Sequence, residues 1–135
     1  MNKMGTNKCC YVSVGSNFDR EKNVALAQKR LLEHYPDVAF SPVMDTEGLG
    51  MKRPCRFFNL MARFSTCSST HEITTVLKKI EQEAGRTSEE KAQEIIRLDL
   101  DLLVCDGEVL KPKDLERDFV RQGIGFLQSA DLLEQ

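Results

Sequence analysis

Asp99 and Asp101 stand two residues apart in the run Arg97-Leu98-Asp99-Leu100-Asp101-Leu102-Leu103. Leucines at 98, 100 and 102 alternate with the acids, the pattern of a strand with one buried face. Alternate strand residues point the same way, roughly 6.5 to 7 Å apart along the chain, so the two carboxylates project together. Carboxylates side by side repel each other unless a cation lies between them. Mg2+ suits such a pair: it takes one or two carboxylates and fills its other positions with water and phosphate oxygens. Phosphoryl transfer uses a bridge of this kind. The competing reading is a solvent-facing strand with incidental acids, which the low strand propensity of Asp weakens. Asp-x-Asp alone leaves both readings open.

Other chemistries find less support. The five cysteines, Cys9, Cys10, Cys55, Cys67 and Cys105, are odd in number and lack metal-ligand spacing, which fits reduced thiols. Cys9, Cys10 and Cys105 fall in apolar strand-like runs and are expected to be buried. His34 and His71 fall on predicted helices, where surface positions are expected. A net charge of −2 with scattered basic residues offers nucleic acid no attractive field. No apolar run approaches the length of a membrane span. The segment Met1 to Lys8 is polar and lacks the apolar centre of a leader peptide, so the expected location is the cytoplasm. A length of 135 residues argues for one domain, 1–135.

The elements that must position the acids follow from periodicity. Cys9 to Val14 reads as a buried strand ending at Gly15-Ser16-Asn17, with Asn17 or Asp19 capping a helix whose apolar positions are Val24, Ala27, Leu31 and Tyr35. Pro36 ends that helix, and Val38 to Met44 reads as a second strand. A loop from Asp45 to Arg56, rich in Gly and basic residues, leads to a third strand, Phe57 to Cys67. Its alternation puts Phe58, Leu60, Ala62 and Phe64 on one face and Phe57, Asn59, Met61 and Arg63 on the other. Ser69 and Glu72 form a capping box before a helix with the stripe Ile73, Val76, Leu77, Ile80 and Ala84, which stops at Gly85. The polar stretch Arg86 to Glu94 reads as a mobile loop or a short exposed helix. The acidic strand, Leu98 to Cys105, is followed by an Asp106-Gly107 turn, and the tail from Pro112 reads as short helical pieces broken at Gly123 and Gly125. The order predicts an α+β ferredoxin-like sandwich with an antiparallel sheet of about four strands.

Several motifs in order resemble the hydroxymethyl-dihydropterin pyrophosphokinase family. They are Gly15-Ser16-Asn17 after the first strand, Thr46-Glu47-Gly48-Leu49-Gly50 followed by Phe57-Phe58-Asn59, Ile80-Glu81 followed by Gly85-Arg86, the strand Leu98-Asp99-Leu100-Asp101, and Asp106-Gly107-Glu108-Val109-Leu110. The match covers most of Tyr11 to Phe126. The resemblance implies Mg2+-dependent transfer of pyrophosphate from ATP to 6-hydroxymethyl-dihydropterin, in folate biosynthesis, by a monomer or weak dimer. It implies that Asp99 and Asp101 hold two Mg2+ ions and act with Arg86 as the catalytic groups. Thr46, Leu49, Phe57, Asn59 and Phe126 are the expected pterin contacts, with Asn59 at the ring edge and Phe57 and Phe126 on its faces. Lys78, Glu81 and Arg97 are the expected nucleotide contacts.

The chain also departs from the family pattern. The family's loop before the metal strand is rich in Arg and holds a Trp and a Gly-Pro-Arg; here it reads Arg86-Thr87-Ser88-Glu89-Glu90-Lys91-Ala92-Gln93-Glu94-Ile95-Ile96-Arg97, without Trp and with Ile96 in the place of an Arg. The family's late Pro-His segment is replaced by Leu115-Glu116-Arg117-Asp118-Phe119. Phosphoryl transfer depends on positioning and charge neutralisation, so these changes bear on rate. A pterin- or nucleotide-binding relative with impaired catalysis is therefore the alternative reading, and a ferredoxin-like interaction domain with an incidental Asp pair is a third.

Overall fold

The computed structural model describes residues 7–134, with side chains for 7–130, so most of the polar Met1 to Lys8 segment and Gln135 lie outside the described residues. The apolar strand β1 (Lys8–Ser16) runs between β4 (Arg56–Thr66) and β5 (Asp99–Cys105), antiparallel to both. The short strands β2 (Ala39–Phe40) and β3 (Met44–Glu47) pair with β4, and β6 (Glu108–Val109) pairs with β5 beyond the Asp106-Gly107 turn. The result is the expected α+β antiparallel arrangement, with six strands in place of about four.

The segment expected to form one second strand forms two. Val38 to Met44 is not continuous, because Pro42 cannot donate to a ladder. Buried Ser41 bridges the gap: its Oγ accepts from Met61 N at 2.8 Å, and its own N–H donates to Met61 O at 2.8 Å. Chain pairing to β4 thus occurs in two pieces, β2 and β3.

Helices α1 (Arg20–His34) and α2 (Thr70–Glu83) cover one face of the sheet. Their apolar stripes, Val24, Ala27 and Leu31 on α1 with Tyr35 just past its end, and Ile73, Leu77 and Ile80 on α2, are buried against Val12, Val14, Leu60, Ala62, Phe64, Leu98, Leu100 and Leu102. Tyr35 stacks on Phe64 with ring centroids 3.8 Å apart. The capping box forms as read: Glu72 N donates to Ser69 Oγ at 3.1 Å and Ser69 N donates to the Glu72 carboxylate at 2.9 Å. Asp19 occupies the N-cap of α1 without a side-chain capping bond, and Asn17 is used elsewhere. His34 and His71 are exposed, while Cys9 is exposed rather than buried: strand alternation sends Cys10 into the core and Cys9 out.

Helix α4 (Asp118–Glu134) covers only part of the opposite face. Phe119, Val120 and Leu127 pack there on Met61 and Leu103. Leu103 reaches this layer where the β1–β5 register shifts, between Leu102 and Val104. The tail is one helix, not pieces broken at its glycines. Gly123 lies against the sheet, where a Cβ would stand 2.5 Å from Met61 Cγ and 2.9 Å from Met61 Cβ. Gly125 faces open space. The close approach thus occurs at Gly123, one turn after Phe119, and not at Gly125. Gly123→Ala should destabilise by about 1 to 3 kcal/mol through overpacking against Met61. Gly125→Ala should stabilise by about 0.4 to 1 kcal/mol through helix propensity and a less flexible unfolded chain. Urea melts of the two variants check this; equal effects would mean that α4 does not seat on Met61.

Candidate active site

The face of the sheet that α4 leaves uncovered carries the acids. In the β1–β5 register Asp99 lies opposite Gly15 and Asp101 opposite Ser13; in the β1–β4 register Gly15 lies opposite Asn59 and Ser13 opposite Met61. Asp99, Gly15 and Asn59 thus form one row across three strands. Gly15 is the floor of that row: a Cβ there would sit 2.8 Å from Asn59 Oδ1. Asn59 is 4% exposed, and its Nδ2 donates to Thr46 Oγ1 at 2.5 Å, which turns Oδ1 toward Gly15.

A cavity of about 190 Å3 rises from this row. Its sheet wall is Ser13, Gly15, Phe57, Asn59, Asp99 and Asp101. Leu49 and Met51 close it from the loop after β3, Ile96 from the strand entry, and Asp114, Arg117, Phe119 and Val120 from the 3-10 turn (Asp114–Glu116) and the start of α4. A second cleft of about 350 Å3 runs along the outer edge of β5. That edge is open because β6 pairs only with Val104 and Cys105. Lys78 and Glu81 of α2, Arg86, Lys111, Leu110 and the strand residues Asp99 to Leu102 line it. Asp99 and Asp101 therefore belong to both spaces, and the second holds three cations beside them.

The pair is electrostatically uneasy. Burial, then the Asp99 charge, push the Asp101 carboxyl above its usual range, and Lys111 at 3.2 Å opposes this only in part. Asp99 accepts from Arg86 at 2.8 Å, and the same guanidinium nitrogen donates to Glu81 at 2.9 Å. The Glu81 carboxylate also accepts from Leu100 N at 2.7 Å, so α2 is pinned to the open strand edge. Burial pushes Glu81 up despite that bond. Among the described residues no three His, Cys, Asp or Glu side chains gather as a metal cage. Two carboxylates on one face, one of them resisting ionisation, fit Mg2+, which needs no more than two from the protein.

The segment before β5 takes the second of its two expected forms, a short exposed helix, and hydrogen bonds tie it to its neighbours. Thr87 caps a short helix α3 (Ser88–Ala92) through a bond from Glu90 N at 3.1 Å. Asn17 clamps the chain between α3 and β5: its Nδ2 donates to Glu94 O at 2.8 Å, its Oδ1 accepts from Ile96 N at 2.7 Å, and its backbone N–H donates to Ile96 O at 2.9 Å. The Glu94 carboxylate accepts from Lys52 N at 2.9 Å, which joins the loop over the first cavity to this segment. Gly15-Ser16-Asn17 therefore supplies a floor and a clamp.

Of the residues singled out from sequence, Leu49, Phe57, Asn59, Asp99 and Asp101 line the first cavity, and Thr46 orients Asn59 from behind. Lys78, Glu81 and Arg86 line the second with both acids. Two lie apart. Arg97 donates to Glu90 at 2.7 Å and sits over the Phe18 ring at 4.7 Å. Phe126 is 47% exposed on the outside of α4, because the helix runs unbroken and presents Phe119, Gly123 and Leu127 inward. Phe119, Arg117 and Lys111 were not anticipated. The i, i+4, i+8 spacing of Phe119, Gly123 and Leu127 was the available signal for the first.

The raised Asp101 carboxyl makes a signed prediction. Its folded form holds the proton more tightly than its unfolded form, so stability falls as pH rises from the ordinary carboxylate range through the folded pKa, and the full cost is present at neutral pH. Asp101→Asn should raise the apo melting temperature at pH 7, with the gain vanishing on acidification below the ordinary carboxylate range. Added Mg2+ should stabilise the parent more than the variant. A lower melting temperature of Asp101→Asn at pH 7 would contradict a strained pair.

Comparison with known proteins agrees with this geometry. The sequence model of the 7,8-dihydro-6-hydroxymethylpterin-pyrophosphokinase family matches residues 11–128. A 2-amino-4-hydroxy-6-hydroxymethyldihydropteridine pyrophosphokinase of Aquifex aeolicus is 29% identical over 109 residues, 78% of this chain and 66% of the relative. The Bacillus subtilis protein of the same name is 28% identical over 112 residues, 81% of this chain and 66% of the relative. The folic acid synthesis protein FOL1 of Dictyostelium discoideum is 26% identical over 128 residues, 88% of this chain but 19% of that longer protein. The match thus spans just under two thirds of the length of the two bacterial relatives. With the family model covering nearly all of the described chain, this protein belongs to the 7,8-dihydro-6-hydroxymethylpterin-pyrophosphokinase family.

Proposed function

We propose that this chain transfers the pyrophosphoryl group of ATP to 6-hydroxymethyl-dihydropterin, with two Mg2+ ions, as a cytoplasmic monomer or weak dimer in folate biosynthesis. The observation that carries this reading is the double membership of Asp99 and Asp101. They are the shared wall between a cavity with an aromatic and amide lining and a cleft with Lys78, Arg86 and Lys111. A flat heteroaromatic fits the first, where Phe57 and Phe119 offer ring faces and Asn59 offers a fixed amide. A polyphosphate fits the second, where the cations meet its charge.

In this reading the hydroxymethyl oxygen forms a bond to the β-phosphorus of ATP. The bond from that phosphorus to the oxygen bridging to the α-phosphorus breaks, AMP leaves with the electron pair, and the hydroxyl proton passes to water. Mg2+ held by Asp99 and Asp101 would neutralise phosphate charge and favour the alkoxide. The chain's own residues supply alignment. Asn59, oriented by Thr46, fixes the ring in its plane, and Leu49 and Met51 line the cavity from the loop above it. Arg86, braced by Glu81, holds its charge beside Asp99. Glu81 keeps β5 seated through Leu100 N. Positioning of this kind carries most of the catalysis in phosphoryl transfer.

One observation favours a second reading, binding without transfer: Ile96 enters the first cavity, and between Thr87 and Arg97 no Lys or Arg lines either space. Incubation with ATP, Mg2+ and the pterin, followed by 31P NMR, separates the two. Equimolar AMP and pterin diphosphate are expected; pterin binding by calorimetry without AMP would select the second reading, and no pterin binding at millimolar ligand would reject both. Asn59→Ala should weaken pterin binding by about 1 to 3 kcal/mol, on the order of ten- to a hundredfold in Kd. Gly15→Ala should act in the same direction by displacing the Asn59 amide, and ATP affinity should change little in either variant.

A further inference from the structure

We propose that Cys10 and Cys105 are a redox-sensitive pair that closes into a disulfide between β1 and β5 when a low-molecular-weight disulfide of the glutathione class accumulates. The two thiols are 95 residues apart in sequence, yet their sulfurs stand 3.2 Å apart. They are register partners on adjacent antiparallel strands. Asp106 N donates to Cys9 O at 2.8 Å, which joins the residues flanking the pair, so Cys10 and Cys105 occupy a non-hydrogen-bonded position of the ladder. At such positions α-carbons lie about 4.5 Å apart and side chains are closest. That separation falls within the range a disulfide spans, and closing the sulfurs to a bond of about 2 Å needs only about 1 Å of movement.

Packing alone is the competing account, since both residues are buried in the cluster under α1 and α2. It explains the burial of each thiol but does not require two of them on facing positions. The ladder also gives the pair a way to react. Pairing of β1 with β5 shifts register between Tyr11 and Val12, which leaves Cys10–Cys105 and Tyr11–Val104 as a short end beyond the bulge. Cys105 borders the Asp106-Gly107 turn and is 4% exposed, whereas Cys10 is 0% exposed. Opening of this end admits the oxidant to Cys105 first. Burial, then the contact with Cys105, push the Cys10 thiol up to about 12, so exchange is slow in the closed fold and follows local opening.

The Cys105 thiolate attacks one sulfur of the small disulfide, whose S–S bond breaks and releases one small thiolate. Cys10 then attacks the Cys105 sulfur of the mixed disulfide and expels the second. Two protein thiols are oxidised, the small disulfide is reduced to two thiols, and the two protons pass to the leaving thiolates. In a reducing compartment the pair rests as thiols. The new bond closes a long loop, the case in which a cross-link restricts the unfolded chain most. Cys10 lies five residues along β1 from Gly15, roughly 17 Å, so the reaction is separate from the acids of the candidate active site.

The test incubates the native full chain with glutathione disulfide and maps linkages by non-reducing digestion and fragment mass spectrometry, for the parent, Cys9→Ser and Cys10→Ala. The parent and Cys9→Ser should carry a Cys10–Cys105 link, and Cys10→Ala should not. Scanning calorimetry then uses the triple variant Cys9→Ser, Cys55→Ser, Cys67→Ser, in which the pair holds the only thiols. Its linked form should melt about 5 °C or more above its reduced form, a shift that dithiothreitol reverses. Absence of the Cys10–Cys105 link from the native parent, or a link that leaves the melting temperature unchanged or lower, would overturn the proposal. If Cys10→Ala does not fold, fragment ions of the parent still separate Cys9 from Cys10 and decide which thiol is joined to Cys105.

Discussion

Two carboxylates forced onto one face of a strand with an open edge are the constraint on which the rest of this structure depends. Strand geometry places Asp99 and Asp101 together, and the hydrophobic alternation of Leu98, Leu100 and Leu102 fixes which way they point. A one-residue slip would bury both acids among α1 and α2. Their repulsion is left partly unresolved, since Arg86 meets Asp99 and Lys111 meets Asp101 from the open edge. In the proposed reaction a divalent cation bound to the two acids would relieve that repulsion, which would link folding and ligand binding through the same two groups.

The surrounding elements are arranged to keep both sides of that strand accessible. β6 stops short and leaves Asp99 to Leu102 without a strand partner on the outer edge, where Glu81 takes the Leu100 N–H and prevents the strand from drifting. On the sheet face α4 covers Met61 and Leu103 but begins at Asp118, so the rows holding Gly15 and Asn59 remain open. The Asn17 clamp and the Glu94 link to Lys52 N hold the two loops around the first cavity in one frame. The proposed transfer between two spaces would need this rigidity, because an error of about 1 Å in alignment is expensive in a reaction that relies on positioning.

Much of this was legible in the residues. Binary alternation identified the acidic strand and both faces of β4, and helical spacing identified the buried stripes of α1 and α2, because those patterns depend on local periods alone. The acids, Asn59 and the Gly15-Ser16-Asn17 corner were visible through their order along the chain. What stayed hidden depended on tertiary distance. Gly123 and Gly125 look alike in sequence, yet only Gly123 meets Met61, so Phe119 and not Phe126 turns toward the cavity. The polar run before β5 lacks an apolar anchor, and its order comes from Asn17, 77 residues from Glu94. Arg117 carries no signal in the sequence because its environment, a cavity with three carboxylates and no partner for its Nε, exists only after α4 docks.

In the proposed transfer the two Mg2+ ions sit on Asp99 and Asp101, between the two spaces. Mn2+ substituted for Mg2+, with a non-hydrolysable ATP analogue and the pterin bound, broadens NMR signals by proximity and reads this directly. The account predicts selective broadening of the amides of Asp99 to Asp101 together with Ser13 and Gly15 on the first-cavity side and Glu81 and Lys111 on the cleft side. Broadening confined to one of the two sides, or centred elsewhere in the chain, would contradict it.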